Sequence, residues 1–136
     1  MRLTGAAIVV ACSLTTAATA QDYLSFQSPS GNIHCMIGAA NGGSATCDIF
    51  RFTPSFPSRP AWCDGDWGGS FSVSAGSAGS PGCYTDSRYN PTAQILAYGQ
   101  SISVGAVTCT SRESGMTCVN RGGHGFTLRR AQQSVF

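Results

Sequence analysis

Gly31-Asn32-Ile33-His34-Cys35, then a glycine-rich turn and Ala45-Thr46-Cys47, decides the fold, because the same design returns as Gly105-Ala106-Val107-Thr108-Cys109 and Met116-Thr117-Cys118. Both stretches read G-x-[IV]-x-C … x-T-C. Each places two short alternating arms around turn residues, Asn41-Gly42-Gly43-Ser44 in the first and a polar turn with Gly115 in the second. Period-two alternation around such a turn marks a β-hairpin. Cysteines directly opposed on its two arms share a face and lie within bridging distance. The expected disulfides are therefore Cys35–Cys47 and Cys109–Cys118, and elimination leaves Cys63–Cys83.

The same alternation extends outward. Residues 24–27 alternate before the turn Ser28-Pro29-Ser30-Gly31, and 71–75 alternate after Gly68-Gly69, with Ser74 to Gly82 reading as a Gly/Ser/Ala loop. Residues 95–98 and 101–104 read as strands on either side of Gly99, and 124–128 as the last strand. Residues 129–135 read as one or two helical turns. Pro54, Pro57 and Pro60 exclude a helix or a central strand from 50–62, which should run extended over the surface. About eight short strands separated by turn residues predict an all-β fold, a small disulfide-stabilised sandwich or barrel-like domain with a short C-terminal helical turn. Each bridge contributes about 3 kcal/mol by the loop-entropy relation. That is a large share of the ~5–15 kcal/mol that holds a domain together.

The 136-residue chain opens with Arg2, an apolar stretch over 5–14 and the triplet Ala18-Thr19-Ala20. A charged start, a short apolar middle and an A-x-A site make a secretory signal, so 1–20 is expected to be cleaved and 21–136 to form one stapled β domain. Val9-Val10-Ala11-Cys12 offers a second reading, a lipobox with a lipid anchor at Cys12. No segment reaches the ~20 apolar residues of a transmembrane helix. Six cysteines remain after the signal, an even number suited to an oxidising compartment, the periplasm or the medium. Seven arginines then face six acids. So even a balance provides no dense basic face for nucleic acid and no polybasic membrane patch.

Several motifs carry a family resemblance. They are Phe26-Gln-Ser-Pro-Ser-Gly-Asn-Ile33 leading to Cys35, Cys47-Asp48-Ile49, Asp66-Trp67-Gly68 and Leu96-Ala-Tyr-Gly-Gln-Ser101. Thr108-Cys109-Thr-Ser, Gly115-Met-Thr-Cys118-Val-Asn120 and Gly123-His-Gly-Phe126 complete the set. Over roughly 24–130 the chain resembles a family of small exported bacterial proteins classed as a domain of unknown function. The resemblance implies export and cysteine pairing, and transfers no functional residue.

Chemistry-bearing candidates are few. No C-x-x-C pair prepares a zinc site. Asp64-Gly65-Asp66-Trp67-Gly68-Gly69 has alternating acids but lacks the later oxygen ligands of a calcium loop, so it reads as a tight turn. No metal and no cofactor is expected. His124, between glycines, is the best single catalytic or binding candidate; its strand parity with Phe126 and Leu128 argues instead for a partly buried side chain bonded to backbone. His34, opposite Cys35, should be exposed. No G-x-S-x-G elbow nominates a serine. The aromatic run containing Phe56, Trp62 and Trp67 would stack on sugar rings or dock a protein, or else close one side of the core. The sequence thus favours a non-catalytic binding or interaction module with a protein or glycan ligand. A small extracellular hydrolase using His124 and a protease inhibitor presenting the 54–60 loop are the alternatives.

Overall fold

The computed structural model describes residues 5, 8–13 and 23–136. The signal segment and its cleavage point lie largely outside the described residues. Strands β1 (Tyr23–Gln27), β2 (Ile33–Gly38), β3 (Ser44–Ile49), β4 (Ser70–Ser74), β5 (Ser80–Pro81) and β6 (Gln94–Ile95) build one sheet in the order β5-β4-β3-β2-β1-β6. Strands β7 (Ser101–Val104), β8 (Val107–Arg112), β9 (Gly115–Asn120), β10 (Gly125–Leu128) and β11 (Gln133–Val135) build the second, in the order β11-β10-β9-β8-β7. Every pairing is antiparallel except β1 with β6. Each sheet is thus a continuous stretch of chain, and the chain passes from one to the other through 96–100, where Leu96 is buried.

The two sheets face each other as an open sandwich, not a closed barrel. Alternation explains the core. Ile33, Cys35 and Ile37 of β2 and Ala45, Cys47 and Ile49 of β3 point inward. They meet Val107 and Cys109 of β8 and Met116 and Cys118 of β9. Phe71 of β4 and Phe126 of β10 approach across the gap, with ring centroids 6.2 Å apart. Burying each such side chain stabilises the fold by about 1.5–3 kcal/mol.

The three bridges are Cys35–Cys47, Cys63–Cys83 and Cys109–Cys118. Cys35 is directly opposite Cys47 in the β2–β3 ladder, and Cys109 directly opposite Cys118 in β8–β9. These two bridges touch across the core, Cys47 Sγ lying 3.7 Å from Cys118 Sγ. The sheets are also clasped at one end by Asn120, which is 5 % exposed. Its Nδ2 donates to the carbonyls of Ser74, the last residue of β4, and Ser77 just past it, both at 2.9 Å. Its Oδ1 accepts from the Gly122 and His124 N–H groups in the β9–β10 turn, at 2.9 and 3.1 Å.

Four expectations need correction. Residues 129–135 are not helical: Gln133–Val135 pairs with β10 as an edge strand. That segment is held extended by Ser55, whose N–H donates to Gln133 Oε1 and whose Oγ accepts from the Gln133 N–H, both at 2.9 Å. The strand expected at 95–98 is cut short after Ile95, because Leu96 turns into the core. The glycine- and serine-rich stretch after β4 contributes the short strand β5. His34 does face away from Cys35, yet it is only 1 % exposed, because residues 86–94 cross over that outer face.

Candidate functional site

The long 50–69 loop leaves β3 and returns as β4, and its prolines keep it off the sheet ladder. Its first part folds back on the sandwich. Phe52 and Phe56 are half-buried against the core, and the Phe56 ring lies 5.7 Å from that of Phe71. The Thr53 N–H donates to the Arg130 carbonyl at 2.7 Å, tying the loop to the chain before β11. Phe56 therefore packs against the core while staying partly exposed.

The second part is pinned differently. Cys63 is buried and bridged to Cys83. Asp66 and Tyr84 exchange backbone hydrogen bonds as an isolated β-bridge, at 2.7 and 3.2 Å. Gly65 is required there, since a Cβ would run into the Tyr84 carbonyl. Between these fixed points Trp62 stands 70 % exposed, next in sequence to the bridge. The Trp67 ring meets it edge-on, with centroids 5.8 Å apart and planes at 90°. Trp67 is half-buried, and its Nε1 is enclosed without a hydrogen-bond partner. Asp64, Asp66 and Arg59 are exposed on the same loop, and Arg59 donates to the Gly65 carbonyl at 3.3 Å. The structure thus brings the Trp62 and Trp67 rings together, while the Phe56 ring pairs with Phe71.

His124 is elsewhere. It sits in the β9–β10 turn, at the end of the sandwich clasped by Asn120, and its side chain is exposed. The expectation of partial burial fails because Asn120 Oδ1 captures the N–H groups of Gly122 and His124. The turn so formed, with Gly123 at φ +83°, keeps His124 off the ladder until β10 begins at Gly125. Among the described residues no acid hydrogen-bonds to its imidazole.

A polar cluster on the outer face of the first sheet was invisible in the sequence. His34 and Asp48 are directly paired across β2 and β3. The Asn90 N–H donates to His34 Nδ1 at 3.1 Å, so the ring proton is on Nε2, which donates to the Gly31 carbonyl at 3.0 Å. Asp48 accepts from the Arg88 N–H at 2.7 Å and pairs with its guanidinium at 3.4 Å. Phe50 and Tyr89 flank the imidazole, with centroids 5.6 and 4.9 Å away. With both nitrogens engaged by backbone, His34 has none left to move a proton for a substrate. Its part is to hold 86–94 against the sheet. Nearby, burial pushes the Tyr84 hydroxyl above the usual tyrosine value, and the charges of Asp48 and Asp66 add to the rise.

The sulfurs of Cys47, Cys109 and Cys118 lie within 4.8 Å of one another. That spacing would suit a metal, but ligation needs thiolates and these sulfurs are held in disulfides. Cys12 carries an exposed free thiol. No helix among the described residues is long and apolar enough to cross a membrane.

No curated protein and no solved structure matches the chain. The model of a family of unknown function (DUF6636) does match, over residues 6–136, and the chain belongs to that family.

Proposed function

We propose that the protein is an exported, non-catalytic binding module of the cell envelope or the medium, and that it takes a glycan on the Trp62–Trp67 surface. One observation carries the reading. A large aromatic ring, 70 % exposed, is held next to the buried Cys63 half of a disulfide, where its backbone has little freedom to turn it inward. Leaving an indole in water forgoes a sizeable burial energy, so such placement points to a partner. Trp62 supplies a stacking platform for a sugar ring, and Asp64, Asp66 and Arg59 bring hydrogen-bonding groups to the same loop. Three disulfides fit an oxidising compartment, and the amino-terminal signal pattern agrees with export.

The alternatives have less support. A hydrolase built on His124 needs an acid or nucleophile beside it, and among the described residues none hydrogen-bonds to its imidazole. An inhibitor presenting 54–60 needs a loop that reaches into a protease, whereas Ser55 is bonded to Gln133 and Phe56 packs inward.

The test is a titration of the oxidised domain with soluble peptidoglycan fragments and with a neutral β-glucan oligosaccharide, followed by tryptophan fluorescence and calorimetry. Saturable binding to one of them, lost in Trp62→Ala at unchanged melting temperature, is expected. Binding that survives Trp62→Ala, or no binding to either probe, overturns the glycan reading.

A further inference from the structure

The end of the sandwich opposite Asn120 gathers positive charge that the nearly neutral composition hides. Arg51 follows β3, Arg112 ends β8, and Arg130 follows β10. They line a basin of three neighbouring hollows, a central one of about 320 Å³ and two others of about 370 and 240 Å³; Arg51 lines the first two, Arg112 the last and Arg130 all three. Glu113 is the only acid among the lining residues. Among the described residues the one ion pair is Arg88–Asp48, so these three guanidinium groups have no carboxylate partner. Clustered cations without counter-ions cost folding energy through mutual repulsion, which an anionic ligand would relieve.

The basin is also preorganised. Asn32 holds the Arg51 backbone from both sides, Oδ1 accepting from its N–H at 2.7 Å and Nδ2 donating to its carbonyl at 3.0 Å. The Thr53 N–H fixes the Arg130 carbonyl at 2.7 Å. Arg112 is paired with Gly115 across the tight β8–β9 turn. Beside the guanidinium groups stand two exposed rings, Phe50 and Tyr89, with centroids 5.9 Å apart and planes at 83°.

We propose that this basin binds a phosphate or sulfate ester carried on a sugar ring. A tetrahedral oxyanion can be engaged from several directions at once, as guanidinium groups from three separate loops require, whereas a planar carboxylate suits one bidentate arginine. Phe50 and Tyr89 then offer apolar surface to the ring that carries the ester. The central hollow is at the small end of ligand-site volumes, matching a monosaccharide unit and not a duplex or a folded partner. This site is separate from the Trp62 surface and does not depend on it.

The experiment is a heteronuclear NMR titration of the oxidised domain at constant ionic strength, with glucose 6-phosphate, inorganic phosphate and glucose as probes. Glucose 6-phosphate should shift the amides around Arg51, Arg112 and Arg130 and bind more tightly than inorganic phosphate, with glucose silent. Arg130→Gln should weaken it about tenfold, the scale of one lost charge-assisted pair. Arg121→Gln, at the far end in the β9–β10 turn, and Trp62→Ala should leave it unchanged. Equal affinity for the two phosphates would overturn the sugar component and leave a bare oxyanion site. No shift with either, or equal losses in Arg130→Gln and Arg121→Gln, would overturn the site itself.

Discussion

Replacing Asn120 by Asp changes one atom type and should unfasten one end of the sandwich. The amide nitrogen donates to the Ser74 and Ser77 carbonyls, both at 2.9 Å, and a carboxylate oxygen in its place would face two acceptors. Two hydrogen bonds at about 1 kcal/mol each are lost, and a nearly buried carboxylate set against two carbonyl oxygens adds about 1–3 kcal/mol. The expected destabilisation is therefore about 3–5 kcal/mol, a large part of the ~5–15 kcal/mol available to a domain. At roughly 4 °C per kcal/mol the melting temperature should fall by ~12–20 °C. Lowering the pH protonates the introduced carboxyl and returns one donor, so about 1 kcal/mol should be regained in acid. The assay is urea unfolding with the disulfides intact, at neutral and acidic pH, with Asn120→Ala in parallel. Hydrogen exchange separates the variants, because Asn120→Asp keeps an acceptor for the Gly122 and His124 amides and Asn120→Ala does not. If both variants fall within about 0.5 kcal/mol of the parent, the clasp is not a stabilising element and the reasoning is wrong.

Two further outcomes follow from the same geometry. Replacing Cys109 and Cys118 together by Ala removes a bridge closing a separation of 9 residues. That should cost about 2.6 kcal/mol by loop entropy, whereas His124→Ala, at an exposed side chain, should remain within about 0.5 kcal/mol; equal losses in denaturant titrations would contradict this assignment. The Tyr84 hydroxyl should titrate above the usual tyrosine value of 10.0, through burial first and then the charges of Asp48 and Asp66. Because its folded value lies above the unfolded one, its contribution to stability is complete below the unfolded value and is lost as the pH rises through the folded value, in the alkaline range. Asp48→Asn should bring it part of the way down in a phenolate absorbance titration; an unchanged or higher value would remove the Asp48 charge as a cause.

Legibility in the sequence followed the range of the interaction. The two hairpin disulfides could be read because Cys35 and Cys47, like Cys109 and Cys118, sit at matching positions around a local turn. Period two then placed Ile33, Ile37, Ala45 and Ile49 correctly on the inner face. Strand β11 could not be read, because Gln133-Ser134-Val135 is polar and becomes a strand only through β10 and the distant Ser55. His34 was expected to be exposed for a related reason. Its face was assigned correctly, but the segment covering it is irregular and bonds through Asn90, 56 residues away. In the 50–62 run the aromatic residues were visible, while their fates were not. Backbone bonds to Arg130 and Gln133 turn Phe56 inward, and the Cys63–Cys83 bridge holds Trp62 outward. Arg51, Arg112 and Arg130 are scattered in sequence, and only the folding of both sheets brings their backbones to one rim.

The placement of the disulfides has a consequence for how the chain is wired. Cys35–Cys47 and Cys63–Cys83 close within 23–95, which builds the first sheet, and Cys109–Cys118 closes within 101–135, which builds the second. No bridge joins the two stretches. Cutting the fully oxidised chain at 97–100 would yield two fragments, each retaining its own cross-links and held to the other by the apolar interface, Asn120 and the hydrogen bonds of Thr53 and Ser55 to Arg130 and Gln133. By the same logic, two copies can trade second sheets through that connection without breaking a sulfur–sulfur bond. Oxidation determines the shape of each half, and reversible packing alone decides which halves stay together.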